Sequence, residues 1–171
     1  NIGNNFSISY GNNLTGFNTA RPLTVTAATN TKIYDATNSA LGTPTITSGA
    51  LQGSDSAVLS ETYSTINVGT GLTLTPLAVI TDGNSGNNYS ISYVNNLTGV
   101  ITARALTVTA ATNTKIYDAN NSALGTPTIT SGALQGSDSA VLSETYTTTT
   151  VGTGSTLTPI AVITDGKSGN N

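Results

Sequence analysis

The side chains that could do chemistry in this sequence are few, because it contains no His, no Cys and only eight acidic residues. Without imidazole or thiol groups, the chain cannot supply a His general base, a cysteine nucleophile or a zinc-thiolate site. Two carboxylates could hydrolyse a glycosidic bond if one lay in an apolar pocket, and Asp55 and Glu61 are the neighbouring acids that come nearest to this arrangement. Asp55, however, lies in a Gly-Ser-Asp-Ser segment that is typical of a turn. We therefore predict that the chain is not an enzyme and has no catalytic or cofactor-binding residue.

Residues 82–88 carry oxygen-bearing side chains at alternating positions, as a calcium-binding loop does. Calcium takes about six to eight oxygen ligands, several of them carboxylates, and Asp82 is the only carboxylate within this loop. The other acids that could join it through space are Asp35, Asp55 and Glu61. The weak calcium candidates are Asp82, Asn84 and Asp165. We expect a Gly/Asn turn with no metal and no cofactor, and calcium stays open as an alternative.

Two lysines, Lys32 and Lys115, each precede an aspartate by three residues. On a strand this spacing places the two side chains on opposite faces, so they would pair only if the chain turned between them. A buried Lys beside an Asn and a carboxylate such as Glu61 could form an internal isopeptide crosslink. We expect solvated lysines instead.

The overall composition excludes several classes of partner. Charged residues make up 8% of the chain and the net charge is −3, against about 25% charged residues in average domains. Five scattered cations cannot neutralise a row of phosphates, so no nucleic acid is expected as a partner. No run of about 18 apolar residues is present, so we expect no membrane insertion. Abundant Thr, Val and Ile with Gly, Asn and Ser favour strands and turns.

The sequence repeats itself at an offset of 83 residues: residues 1–88, laid over 84–171, match at 75 of 88 positions without a gap. A period of this length is that of a small domain rather than of a solenoid coil. We therefore divide the chain into the last hairpin of a preceding repeat (residues 1–20), a complete first repeat (21–103) and a second repeat that lacks its last hairpin (104–171).

Apolar residues alternate with polar ones along most of each repeat, which predicts strands. Residues 89–93 and 97–102 flank an Asn-Asn turn and read as a hairpin. Further strands are predicted at residues 23–27, 43–47, 57–63 and 72–81. The apolar stretch 77–80 predicts a strand covered on both faces. The predicted fold class is all-β: tandem, elongated, sandwich-like domains, Ig-like or β-grasp-like, of about 83 residues each.

Differences between the repeats suggest which positions are exposed. Asn18 aligns with Ile101, Ile66 with Thr149, and Leu72 with Ser155, so these positions are expected at the surface. Three aligned pairs stay apolar and are expected in the core: Phe6 with Tyr89, Phe17 with Val100, and Leu77 with Ile160. We also expect four tyrosines in the core: Tyr34, Tyr63, Tyr89 and Tyr93.

The junction between the repeats has no flexible spacer. Residues 97–110 read LTGVITARALTVTA, with no Pro/Gly/Ser-rich segment between the last strand of one repeat and the first of the next. Such a junction predicts a stiff rod. Arg21 and Arg104 lie at the junctions, where a salt bridge between repeats is an open alternative.

The series LTVTA, KIYDA, GSDS, NVGTG, GNNYSISY and TGVITAR resembles the YDG/MBG-type tandem repeats of large secreted bacterial adhesins of the filamentous-haemagglutinin-like kind. One departure concerns the Tyr-Asp-Gly motif, which reads Tyr34-Asp35-Ala36 here and Tyr117-Asp118-Ala119 in the second repeat. Ala disfavours the positive φ that a Gly turn adopts. The resemblance implies an extracellular structural or adhesive role, at a bacterial cell surface or in a secreted filament.

Taken together, these features predict a structural stalk or spacer of a surface or biofilm-matrix adhesin, which holds a distal binding region away from the cell. Its partners would be neighbouring repeats of the same chain. One alternative is a module that binds host or matrix glycans or a receptor through many weak contacts. A further alternative is a fibre subunit, in which residues 6–20 of one molecule complete the open edge of residues 104–171 in the next.

Overall fold

The computed structural model describes residues 6–171 and contains, within them, strands but no helix. No helix in this part of the chain has the length and hydropathy that crossing a membrane requires. The all-β prediction is therefore confirmed. The strands of the first repeat are β1 (Arg21–Thr26), β2 (Thr31–Ile33), β3 (Ser39–Ala40), β4 (Thr45–Ser48), β5 (Ser56–Tyr63), β6 (Gly69–Thr81), β7 (Tyr89–Val94) and β8 (Asn96–Thr102). Those of the second are β9 (Thr107–Thr109), β10 (Thr128–Ser131), β11 (Ser139–Tyr146) and β12 (Leu157–Thr164).

The first repeat is built from two sheets. One sheet has the order β4-β1-β7 and the other has the order β2-β8-β6-β5-β3. The longest ladder joins β5 to β6 over eight antiparallel residue pairs. Two of the pairings are parallel, β1 with β7 and β2 with β8. The chain therefore crosses from the first sheet to the second after β1, after β4 and after β7. The crossings after β1 and β7 lie side by side, because β1 pairs with β7 and β2 with β8.

The predicted hairpin at residues 89–102 is wrong in its pairing. Both strands form, but β7 lies in the first sheet and β8 in the second, and neither pairs with the other. The reason is that each finds a better partner in the preceding crossing. The Ala27 N–H donates to Val94 O at 2.9 Å, and the Tyr34 N–H donates to Thr102 O at 2.9 Å. The Asn-Asn pair marks a change of sheet and not a tight turn.

Two clusters of buried side chains form the core of the first repeat. The larger joins residues of β5, β6 and β8 to the segments after β1 and β2: Ala27, Tyr34, Tyr63, Leu74 and Ile101. The other lies between the two sheets and contains Leu23, Ile80 and Tyr89. Full burial of an aliphatic side chain such as Leu74 contributes about 1.5–3 kcal/mol. β8 therefore supplies the core with Ile101, and β7 supplies Tyr89.

Several burial predictions are wrong in an instructive way. Ile101, expected at the surface, is 1% exposed, and Leu72 packs against the larger cluster. Leu77 and Ile160, expected in the core, are exposed, as is Tyr93. The strand at residues 77–80 is thus covered on one face only, and Ile80 points to the core. The expectations for the other three tyrosines and for Ile66 are confirmed.

The second repeat keeps only part of this architecture. β9 pairs with β10 and β11 pairs with β12, each antiparallel, in two separate two-stranded sheets. Within residues 104–171 no strand stands in the places of β2, β7 and β8, and the counterpart of β3 is a single bridge between Ser122 and Thr145. Residues 114–116 match β2 in sequence yet form no strand, because they lack the parallel partner that β8 provides.

Residues 6–20 form no strand and are exposed throughout. The predicted hairpin of a preceding repeat extends into residues 1–5, which lie outside the described residues. Phe6 and Phe17, both expected in the core, are 87% and 91% exposed, so that expectation is wrong for them, and Leu14 is 97% exposed. An apolar segment is thus presented to solvent beside an otherwise folded repeat.

Candidate functional site

Lys32 is held in a turn of the first repeat and is not a solvated lysine. Its ammonium donates to Asp35 Oδ1 at 2.7 Å and to the carbonyl oxygen of Thr37 at 2.7 Å, and its side chain is 9% exposed. It also lies 5.4 Å from the centre of the Tyr63 ring. The expectation of opposite faces was wrong because β2 ends at Ile33 and the chain turns before the aspartate. Lys32 thus fastens the turn that follows β2.

The turn after Lys32 has a left-handed backbone at an alanine. Ala36 has φ 59° and its counterpart Ala119 has φ 63°. Desolvation would raise the pKa of Asp35, but hydrogen bonds from Lys32 and Thr37 outweigh it and hold that pKa below its usual value. These bonds stabilise the turn enough to tolerate Ala at a positive φ.

Glu61 is buried and its carboxylate accepts a hydrogen bond from the backbone. Its Oε2 accepts a hydrogen bond from the Ala28 N–H at 2.8 Å, while its Oε1 is buried without a partner. A Cβ atom on Gly42 would come within 2.1 Å of that Oε1, so a side chain there would have to displace the Glu61 carboxylate. Glu144 repeats the arrangement with Ala111. The predicted neighbour Asp55 instead accepts a hydrogen bond from the hydroxyl of Tyr89 at 2.5 Å, so the two acids have separate structural tasks.

The predicted calcium loop forms a ring of backbone amides around Asp82. Its Oδ1 accepts hydrogen bonds from the N–H groups of Asn84 and Gly86, both at 2.8 Å, and its Oδ2 accepts one from Asn88 at 3.0 Å. Desolvation would raise the pKa of Asp82, but these amides outweigh it and lower the pKa. The carboxylate is thus engaged by donors on both oxygens, which is the environment of an Asn/Gly turn.

Asp165 occupies the same kind of loop in the second repeat, with bonds from the amides of Lys167, Gly169 and Asn171. Asn84 contributes an amide donor, and its side-chain nitrogen donates to Asn88 Oδ1 at 3.0 Å. Across residues 6–171, no group of three or more His, Cys, Asp or Glu side chains lies close enough to hold a metal ion. The three calcium candidates are therefore placed in two separate turns.

The contact between the repeats joins Tyr34 and Arg104, which the sequence analysis placed in the core and at the junction, to Asp138, which it did not single out. The Tyr34 hydroxyl donates to Asp138 Oδ1 at 3.2 Å, and the Arg104 Nε donates to the carbonyl oxygen of Tyr34 at 2.8 Å. The side chain of Ala36 lies against Gly136, where a Cβ would approach it to 2.8 Å. Burial raises the pKa of Tyr34, and the Asp138 carboxylate raises it further.

A second set of bonds joins the Asp165 loop to the first repeat. The Val68 N–H donates to Asn171 Oδ1 at 2.9 Å, and Asn171 Nδ2 donates to Asn67 Oδ1 at 3.1 Å. The ammonium of Lys167 donates to the carbonyl oxygen of Val68. Asn67 and Lys167 are both positions at which the repeats differ, since their counterparts are Thr150 and Asn84. Comparison of the two copies was the one signal that could have pointed to this contact.

Only four residues, 103–106, separate β8 from β9, so the repeats meet without a spacer. The salt bridge between repeats that the sequence left open is not formed: within residues 6–171, the ion pairs are Lys32–Asp35 and Lys115–Asp118. Arg104 instead binds a backbone carbonyl, as described above. Close packing and hydrogen bonds hold the two repeats together, and Arg104, Asp138 and Lys167 each pair there with a neutral group.

A groove of about 830 Å³ lies in the second repeat. It is lined by residues 112–117 on one side and by residues 148–157 on the other, with Tyr146 also contributing. A smaller cavity of about 280 Å³ lies at the contact between repeats and includes Tyr34, Arg104 and Asp138. The groove is lined by no acidic side chain, and the smaller cavity is lined by two, Asp138 and Asp165. Both of these carboxylates already accept hydrogen bonds, Asp138 from the Tyr34 hydroxyl and Asp165 from backbone amides.

Residues 19–96 match the model of the YDG domain family. This range runs from just before β1 to the first residue of β8, so it covers most of the first repeat. No curated protein and no solved structure matches the chain significantly. The prediction of a YDG-type domain is confirmed for these residues.

Proposed function

From the premise that residues 19–96 form a YDG-type domain, we propose that the chain is a structural spacer of an extracellular bacterial adhesin or surface fibre. In this role it holds a distal binding region away from the cell. The repeats would stack end to end as a rod, at the cell surface or in a secreted filament of a biofilm matrix. The adhesin context rests on the resemblance of the repeat motifs to those of large secreted adhesins.

The observation that carries the proposal is the contact between the repeats. It joins side chains and backbone groups from both sides across a junction of four residues. Interdomain contacts of this kind restrict relative motion when no flexible linker intervenes. The buried or turn-bound positions of Asp55, Glu61 and Asp82 add support, because these acids stabilise the fold and leave no evident reactive group.

The rod is tested by small-angle X-ray scattering on the 171-residue chain and on a variant with a short Gly/Ser linker inserted between Ala103 and Arg104. We expect a narrow distribution of angles between repeats for the natural chain. The inserted linker, which leaves every core residue in place, should broaden that distribution. Equal breadth for both proteins would contradict the spacer role.

A glycan array, run with and without calcium, tests the rival in which each repeat binds a ligand. The spacer proposal predicts no saturable binding under either condition. Binding of one glycan class that survives dilution and is competed by the free sugar would favour the binding module.

A further inference from the structure

A patch of exposed aliphatic side chains lies on the outer face of the β5–β6 ladder. Val58 pairs directly with Val79 across the two strands, and Leu77 lies two residues before Val79 on the same face. The exposed fractions of these three side chains lie between 53% and 70%. Ala57 and Ile80, which alternate with them, belong to the core between the two sheets. The patch is therefore on the side of the ladder that the folded repeat leaves uncovered.

The β11–β12 ladder presents the same surface in the second repeat. Val141 pairs with Val162, and Ile160 takes the place of Leu77, with exposed fractions between 45% and 71%. The other outward positions of the two ladders all carry hydroxyl groups: Ser56, Ser60, Thr62, Thr75 and Thr81 in the first, and Ser139, Ser143, Thr145, Thr158 and Thr164 in the second. The outer face of each ladder is thus aliphatic at its centre, hydroxylated around it and uncharged.

Tyr34 shows that the two outer faces point to the same side of the molecule. Its ring belongs to the core cluster on the inner face of the first ladder, with Tyr63 and Leu74. It also lines a cavity together with Ala161 and Ile163, which lie on the inner face of the second ladder. Because one side chain lies on the inner side of both ladders, both outer faces look away from it.

The two ladders also follow one another along the molecule. Residues 64–68 connect the strands of the first ladder at one end, and Val68 there binds Asn171 and Lys167. Those two residues belong to the loop that begins after Thr164, at the end of the second ladder opposite its own connection. The closed end of the first ladder thus meets the open end of the second. Their outer faces lie in line as one stripe, which we call the outer stripe.

We propose that the outer stripe is the docking surface for a second copy of this chain, so that two molecules pair side by side with stripe against stripe. Two identical surfaces can meet in this way because neither carries a charge that pairing would bury. A hydroxyl group both donates and accepts hydrogen bonds, so facing rows of Ser and Thr can satisfy one another. The aliphatic centres leave water together, which supplies the driving force. This pairing goes beyond the spacer role, because it joins separate molecules rather than repeats of one chain.

The area of the outer stripe supports this choice of partner. Each ladder is eight residue pairs long, so its outer face measures about 27 by 10 Å, or about 270 Å². Two molecules that match both ladders cover about 1,100 Å² counted over both partners, whereas one ladder alone covers about half of that. A specific interface needs about 1,000 Å². The alignment of two ladders in one chain therefore gives a second copy enough surface, and it predicts a weak, reversible dimer.

The pairing is tested by sedimentation velocity on the natural chain and on two double variants that add the same two positive charges. Val58→Lys with Val141→Lys places the charges in the outer stripe and should raise the dissociation constant about tenfold or more, because the ammonium groups lose hydration on pairing. Ser48→Lys with Ser131→Lys places them at exposed positions of β4 and β10, outside the two ladders, and should leave pairing unchanged. A natural chain that is monomeric at millimolar concentration, or equal weakening by both double variants, would overturn the proposal.

A milder double variant keeps the test independent of any loss of fold. Val58→Thr with Val141→Thr retains the β-branched shape that suits a strand and replaces one methyl group with a hydroxyl in each ladder. Its circular dichroism spectrum and thermal melting should match those of the natural chain, while its pairing should weaken by a few-fold. Unchanged or tighter pairing would show that the aliphatic centres do not drive association and would contradict the proposal.

The surface in contact is identified by crosslinking, since the chain has no natural Cys. Packed sheets lie about 10 Å apart, so a thiol-specific crosslinker of about that span should join two copies of a chain that carries Val58→Cys and Val141→Cys. The matched chain with Ser48→Cys and Ser131→Cys should give only the dimer that random collision produces. None of these substitutions lies at the junction between the repeats, so this test and the scattering test of the spacer can fail separately. Efficient crosslinking of the Ser48/Ser131 chain alone would place the contact on another face and overturn the proposal.

Discussion

The two repeats share 75 of 88 aligned residues, yet equivalent side chains have different environments. Tyr34 is 3% exposed and lies against the second repeat, whereas Tyr117 is 61% exposed. Glu61 and Glu144, in contrast, are equally buried and accept the same hydrogen bond. The comparison separates the repeat into a part that forms by itself, around the β5–β6 ladder, and a part that depends on β7, β8 and the next repeat.

The largest expected effect comes from placing a side chain at Gly99. Gly99→Val should lower the free energy of unfolding of the first repeat by about 2–3 kcal/mol, because the new side chain strikes the Leu72 carbonyl and the Tyr63 ring. Denaturant unfolding of the dilute chain measures the loss. Gly16→Val is the control, and under monomeric conditions it should leave stability unchanged. A loss of similar size in both would show that β8 does not organise the first repeat.

A smaller effect is expected from removing one tyrosine hydroxyl in each repeat. The Tyr63 hydroxyl donates to Asn30 Oδ1 at 2.7 Å and lies 3.1 Å from the Val100 carbonyl oxygen, whereas that of Tyr146 makes one bond, to Asn113 Oδ1 at 3.3 Å. Tyr63→Phe should cost about 1–1.5 kcal/mol and Tyr146→Phe less than about 0.5 kcal/mol. Chemical denaturation of both variants checks the difference, and equal costs would place both hydroxyls in equivalent surroundings.

Replacing either of the two positive-φ alanines, Ala36 and Ala119, with glycine should stabilise the protein, but by different amounts. Glycine avoids the strain of a left-handed backbone but loses more entropy on folding, which leaves a net gain of about 0.5–1 kcal/mol for Ala119→Gly. Ala36→Gly should gain less, because its methyl group packs against Gly136. Thermal melting of the two variants compares them. A larger gain for Ala36→Gly would mean that this methyl group does not stabilise the contact between repeats.

The sequence predicted the principal strands because alternation of apolar and polar residues directly reflects the geometry of a strand. It did not reveal that β7 and β8 enter different sheets, since local alternation carries no information about which distant strand is the partner. It also misplaced Lys32, because β2 is only three residues long and the alternation rule fails where a strand ends.

The copy comparison misjudged Ile101 for a different reason. An apolar-to-polar difference signals exposure only when both copies occupy the same environment, and Asn18 lies in a segment that is exposed in the isolated chain. The contact between the repeats was equally hidden, because Tyr34 and Asp138 lie 104 residues apart and have identical counterparts elsewhere in the chain.

The smallest expected effect concerns acid and the contact between repeats. The Gly169 amide, with those of Asn171 and Lys167, holds the pKa of Asp165 below its usual value despite desolvation. A depressed pKa stabilises the folded state above the unfolded value, and this stabilisation is lost as pH falls below about 4. The Val68 amide, bound to Asn171, should then exchange faster with solvent. Asp165→Asn should reproduce the loosening at neutral pH, whereas Asp82→Asn, which lies in the first repeat's own loop, should not.

The dependence of the second repeat on an added β7–β8 segment is tested most directly by amide hydrogen exchange, followed by NMR. The informative amides are those of residues 72–74 and 155–157, where the two repeats differ in sequence. In dilute chain we predict slow exchange at 72–74 and fast exchange at 155–157. Adding a peptide with the sequence of residues 89–103, which contains β7 and β8, should slow exchange at 155–157 alone. Equal protection of both segments before the peptide is added, or no change at 155–157 at saturating peptide, would contradict the account.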